Sequence, residues 1–211
     1  MRRLLALVLL ALAAACTSKP EETPLPDPDV QAGSVGRAPR RITVAQLDAS
    51  IRTAVGRGWE CPVGAPSSCV DLADVAPSLG KADFANVSSE NTEPNLVFAK
   101  FLEDGARDVC MAQALAELTV ADPNARVLSR TVPTLIGTAG TLTALSDAQV
   151  TEVLVYLSTR FWGAPLAGEE LTRWKSFFTQ AASRAETIRK RDQAFAVMCI
   201  AMMTDSRFLT Y

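Results

Sequence analysis

Residues 146 to 165 read SDAQVTEVLVYLSTRFWGAP, and the order of residue types in this stretch decides the fold class. Ser146 followed three places later by Gln149 is a capping box: the hydroxyl accepts a first-turn N–H and the glutamine reaches back to the cap. Val150, Val153, Leu154, Leu157 and Phe161 then recur at intervals of three and four, which lines one face of an α-helix. Gly163 and Pro165 stop it.

The same grammar repeats outward. Thr43 with Gln46 opens a helix at about 44 to 56 through Val44, Leu47, Ile51 and Val55, ended by Gly56 and Gly58. Thr92, with Pro94 in the first turn, is read as the cap of a second helix with the stripe Val97, Phe98, Phe101, Leu102, Val109, Ala112 and Leu115. Gly105 and Ala106 lie on or beside that stripe, where another helix could approach closely. Downstream, one helix runs through Leu171, Trp174, Phe177 and Phe178, and another through Ile188, Phe195, Met198, Cys199 and Met202. Residues 59 to 91, punctuated by Pro62, Gly64, Pro66, Pro77 and Gly80, read as loops with one short turn at most, and the stretch after Pro123 is loop-rich too. No long period-two run occurs. The expected fold is all-α, an irregular bundle of about five helices with long loops.

The 211 residues, 48% hydrophobic and 21% charged, fit one ordinary globular domain with appendages. Histidine is absent. Without imidazole there is no serine-histidine hydrolase, no histidine-ligated haem and little of zinc enzymology, and no cofactor is expected.

Arg2 and Arg3 precede the apolar run Leu4 to Leu12, which leads into Ala13-Ala14-Ala15-Cys16, the order of a signal peptide over residues 1 to 15. Twelve apolar residues span about 18 Å as a helix against a hydrocarbon core of about 30 Å, too short for a permanent span. The cysteine after three alanines resembles the bacterial lipobox, which implies diacylation at Cys16 and a stable membrane anchor through that lipid. Thr17 stands where aspartate would resemble the inner-membrane retention signal, so the resemblance points to the outer membrane. Residues 16 to 39, with Pro20, Pro24, Pro26, Pro28 and Pro39 among acids and few apolar side chains, read as a disordered tether reaching about 26 Å as a flexible coil. Residues 40 to 211 are then a single helical domain. After loss of Arg2 and Arg3, 19 basic residues face 23 acidic ones, a balance of −4 that offers no footprint for nucleic acid.

Four cysteines remain, an even number in a chain addressed for export. Of three possible connectivities we favour Cys61 with Cys69 across a turn-rich segment and Cys110 with Cys199 between two apolar helical stripes. A four-thiolate zinc site lacks the usual paired spacing, and no metal is expected.

The tract Arg184 to Arg191 is interrupted by Glu186, which suits a solvated helix face better than an anion site. Met198, Met202 and Met203 suit core filling better than a soft ligand pocket. Paired carboxylates are the one acid-base route left; Asp83, Glu90, Glu93 and Asp104 are the candidates, and Glu103 beside Asp104 points about 100° away from it.

Leu145 to Leu157 resembles the last helix of small c-type cytochromes, but no attachment motif accompanies it. Arg40-Arg41-Ile42-Thr43 with Leu47, Ile51, Arg52 and Gly56, and the closing Met198-Cys199-Ile200-Ala201 and Ser206-Arg207-Phe208-Leu209, resemble the opening and ending of helical domains in planctomycete-type secreted, cytochrome-associated proteins. The chain is similar to a compact, myxobacterial-like lipoprotein form of these without the haem motif. The resemblance implies a helical extracytoplasmic module working beside a partner and carries over no catalytic residue. The expected function is therefore a lipid-anchored interaction or scaffold module of the bacterial envelope with a protein partner, Trp59, Trp162 and Trp174 being its interface candidates. The alternative is a carboxylate-dependent extracytoplasmic hydrolase.

Overall fold

A computed structural model describes residues 40–65, 69–83, 85, 88–93, 95–133 and 141–210. The signal segment, Cys16 and the tether lie outside the described residues. Seven helices and no strand occur among the described residues: α1 Val44–Val55, α2 Leu72–Val75, α3 Leu96–Glu117, α4 Asp147–Trp162, α5 Gly168–Thr187, α6 Asp192–Met203 and α7 Ser206–Leu209. Five are long and two are single turns, so the fold is an all-α bundle with long loops. None is long and apolar enough to cross a membrane.

The capping boxes at Thr43 and Ser146 form as their sequences require, and Gly56 and Gly163 close α1 and α4 in the left-handed region at φ 87° and 71°. Packing centres on α3 and α6, with α5 and α4 against α6 and α1 against α3. α6 is apolar nearly all round because it runs through the middle: Phe195, Met198, Cys199, Met202 and Met203 are all buried. The three methionines thus fill the core. Cys110–Cys199 joins α3 to α6 with α-carbons 5.7 Å apart, and Cys61–Cys69 closes its loop at 5.9 Å, both inside the range a disulfide can bridge.

Irregular segments are fastened by buried ions. Arg41, 1% exposed, donates to the carbonyls of Ile42, Leu79, Asn91 and Glu93, lies 3.8 Å from the Glu90 carboxylate and stacks on the Phe98 ring. Glu117, 2% exposed, accepts the N–H groups of Val127, Leu128 and Ser129, the Ser129 hydroxyl and the Gln113 amide. Arg160 of α4 donates to the carbonyls of Thr53 and Ala54 at the end of α1, a cation placed where the helix dipole is negative. The chain ends of the domain meet, for the Ile42 N–H donates to the Leu209 carbonyl at 2.8 Å and Arg41 bridges Thr210.

Several expectations need correction. α3 starts one turn later than Thr92 because the Asn95 side chain takes the Phe98 N–H at 2.8 Å; the Thr92 carbonyl instead receives the Arg41 N–H, and Pro94 lies outside the described residues. No helix fills the notch at Gly105. The Trp59 ring does, so close that a Cβ there would fall 2.4 Å from it. Ile188 caps α5 instead of belonging to the last helix, and Arg189 turns the chain at φ 57°. The one short turn allowed for in residues 59 to 91 is α2, capped by Asp71 with Asp74.

The larger correction concerns the α3 stripe. Its core face is Phe98, Leu102, Gly105, Ala106, Val109, Cys110, Ala114 and Glu117. Val97 and Leu115 are exposed, while Phe101 and Ala112 are only half-buried. Small residues let Trp59 and α6 come close, so fewer large side chains fit inside than the sequence offers.

Candidate docking face

Gly105 admits the Trp59 indole, and the Trp59 N–H donates to the Val70 carbonyl at 2.9 Å. That bond, with the Cys61–Cys69 link, holds residues 57–65 and 69–70 alongside α3 and leaves Val70 facing outward at 42% exposure. Between this segment and α3 lies a cleft of about 380 Å³ lined by Trp59, Pro62, Ala65, Val70 and Ala112. On the other side of α3, where the Cys110–Cys199 bond sets α6, lies a cleft of about 700 Å³ lined by Met111, Leu115, Val197 and Ile200. Leu115 is 59% exposed and Val197 37%.

Asp108 and Ala112 line both clefts. One helical turn apart, they form a ridge between two largely apolar hollows, whose rims also carry Arg57 and Glu60 on the smaller and Arg107, Asp192 and Gln193 on the larger. The neighbouring acids of α3 are paired, Asp104 with Lys100 at 2.6 Å and Glu103 with Arg107 at 3.2 Å. Asp108 has no hydrogen bond and no ion pair within 4 Å among the described residues. Partial burial, reinforced by Asp104 and opposed by Arg107, holds its carboxyl above the usual aspartate range. Such a face can bury apolar side chains and neutralise a cation; nothing in it activates a nucleophile.

The aromatic interface candidates have other surroundings. Trp59 is 3% exposed, so the expectation of an exposed indole does not hold; its burial follows from the gap at Gly105. Trp162 is half-buried, donates to the Met202 carbonyl at 3.1 Å and lies under Arg207, which also holds Glu170 and Asp205. Trp174, also half-buried, meets Trp162 and Phe177 edge-on. This cluster clasps α7 to α4 and α5. Leu115 was missed because an apolar residue at helical spacing reads as core; Val70, in a segment read as loop, and Val197, off the stripe of the last helix, carry no sequence signal of a shared face.

Three of the four carboxylates expected for acid-base chemistry serve locally, and Glu93 is engaged through its main chain. Glu90 accepts the Val44 N–H at the start of α1, Asp83 accepts the Ala85 N–H, Asp104 is held by Lys100, and the Glu93 carbonyl receives Arg41. None of the four lines a cleft described here; the most acidic cleft, about 420 Å³ against α1 and α2, has Asp48 and Glu60 tied to Arg52. No group of three or more potential metal ligands occurs among the described residues. In the 184–191 tract, Arg191 pairs with Glu186 at 3.0 Å. No family model, curated protein or solved structure matches the chain.

Proposed function

We propose that this protein is a lipid-anchored component of the bacterial envelope, at the outer membrane, that works as a helical interaction module and holds a protein partner on the double cleft astride Asp108 and Ala112. The observation that carries the reading is the gathering of exposed Val70, Leu115 and Val197 on the walls of two clefts that share one ridge. Isolated exposed apolar residues need no explanation, whereas a contiguous group around hollows marks a contact surface. Anchoring rests on the Cys16 sequence, and the likeness of residues 40 to 211 to planctomycete-type helical domains belongs to the same proposal.

The test uses the full chain in its own envelope. A photocrosslinking residue at position 115 should give a discrete protein adduct, and the same residue at exposed Ser176 on α5 should give none. Equal or absent adducts would remove the docking reading. Metabolic labelling with a clickable fatty acid should mark the wild type and spare Cys16→Ser, and equal labelling of both would remove the anchor.

A further inference from the structure

We infer that the double cleft receives an amphipathic helix of a partner protein in which a lysine or arginine stands between two apolar residues, the cation meeting Asp108 while the apolar side chains enter the clefts on either side. The inference rests on the docking reading above and adds the chemistry of the occupant.

The charge comes first. Among the described residues Asp108 is unpaired on a helix whose adjacent acids are paired, and it stands on a ridge with a largely apolar hollow at each side; of the charged groups on their rims, Arg107 is already held by Glu103, Arg57 faces the smaller hollow beside Glu60, and Asp192 adds a second acid to the larger one. Covering that ridge with an uncharged surface would desolvate a carboxylate without compensation; a cation brings compensation with it. The elevated carboxyl of Asp108 shows that its surroundings already disfavour the lone charge. A second copy of this chain is the poorer occupant, because docked ridge to ridge it would set the same acid opposite itself.

The shape selects the element. No strand and hence no sheet edge occurs among the described residues for an extended segment to join, and the indole at the smaller cleft is too buried to stack on proline. A helix laid across α3 fits the spacing. The clefts flank a helix whose body is about 10 Å across, and seven residues of a partner helix rise about 10.5 Å, so apolar anchors at i and i+7 reach both hollows. A cation at i+3 or i+4 then faces the ridge on the same side. Ala112, short and half-buried, permits the close approach.

The experiment uses the intact lipoprotein in nanodiscs, with empty nanodiscs subtracted, and a fluorescent alanine-rich peptide carrying leucines seven apart and lysine at the fourth place between them. Its twin carries glutamate instead of lysine. Wild type should bind the lysine peptide at least tenfold more tightly than the glutamate peptide, and Asp108→Lys should reverse the order. Asp108→Asn should bind both alike, and Leu115→Glu should bind neither. Leu115 and Asp108 are exposed, so these variants should keep the wild-type thermal transition and both disulfides. Equal affinity of wild type for the two peptides, binding of neither, or indifference to Leu115→Glu would overturn the inference. A concentration-dependent dimer abolished by Leu115→Glu would overturn it in favour of a second copy. If the peptides fail while the position-115 crosslink succeeds, only the occupant's chemistry falls; if both fail, the docking reading falls with it.

Discussion

The described residues from 77 to 93 and those from 122 to 133 are both mostly irregular, and each set is gathered by a buried ion, of opposite sign in the two cases. Arg41 spreads a planar fork of donors over carbonyls as far apart in sequence as Leu79 and Glu93, and its stem lies on Phe98. Glu117 draws three successive N–H groups, from Val127 to Ser129, onto two oxygens. A cation of this shape can staple distant strands of chain, whereas a carboxylate compresses one turn until its amides converge. Arg126, donating to the carbonyls of Val132 and Pro133, folds the second segment further upon itself. The balance of forces also differs. At Arg41 burial dominates and lowers the pKa, with Glu90 opposing. At Glu117 burial raises the pKa, but the hydrogen bonds from Ser129, Leu128, Gln113 and Val127 together prevail and lower it.

The comparison can be broken at the shared frame first. Replacing Cys110 and Cys199 by serine opens an 89-residue separation and should cost roughly 4 kcal/mol in urea unfolding, with faster amide exchange in both segments together. Faster exchange in only one would mean that the two segments do not share a frame. Next, Glu117→Ala leaves three N–H groups, two of them buried, and a buried hydroxyl without an acceptor and should cost about 3 kcal/mol. Arg41→Met should cost less, about 2 kcal/mol, since carbonyls tolerate a missing partner better and the burial penalty of the cation disappears with it. Equal or inverted losses would sink the argument from donor and acceptor tolerance.

Acid separates the two pins. The folded-state pKa of Glu117 lies below its unfolded value of about 4.3, so its stabilisation is complete above that pH and disappears as pH falls through the folded value. The gap between wild type and Glu117→Ala should therefore narrow on acidification below about pH 4. Arginine stays charged throughout, so the gap to Arg41→Met should hold steady between about pH 5 and 9. A Glu117→Ala gap that persisted in strong acid would show that the carboxylate's charge is not what organises the turn.

Much of this frame is written locally. Thr43 and Ser146 announce their helices because a capping box needs only neighbours three residues apart, and Cys110 and Cys199 announce their pairing because each sits on an apolar stripe. Arg41 and Glu117 give no such signal: a charged residue reads as surface until distant backbone surrounds it. The α3 face misleads for the converse reason. A 22-residue helix carries more apolar positions than its core face can use, and periodicity does not say which are surplus. What selects them is Trp59, brought from 46 residues upstream into the notch at Gly105. Leu115, on the proposed docking face, is thus a part of the stripe that packing left over.

The disulfides also set how this domain would bear a load. Pulled between Arg41 and Thr210, the chain from Cys110 to Cys199 is bypassed by a covalent bond, as is the short loop from Cys61 to Cys69. Of the 169 links between the two ends, roughly 70 could lengthen, about 250 Å of slack at most. α4 and α5 lie wholly within the bypassed stretch, and the outer wall of the larger cleft, Leu115 and Val197, is inside it too. Tension along the chain would peel α1 and α7 while Leu115 and Val197 stayed under no backbone strain, whereas Val70, Asp108 and Ile200 lie on the loaded path, so a pull would separate the two walls of the face before it reached the outer one.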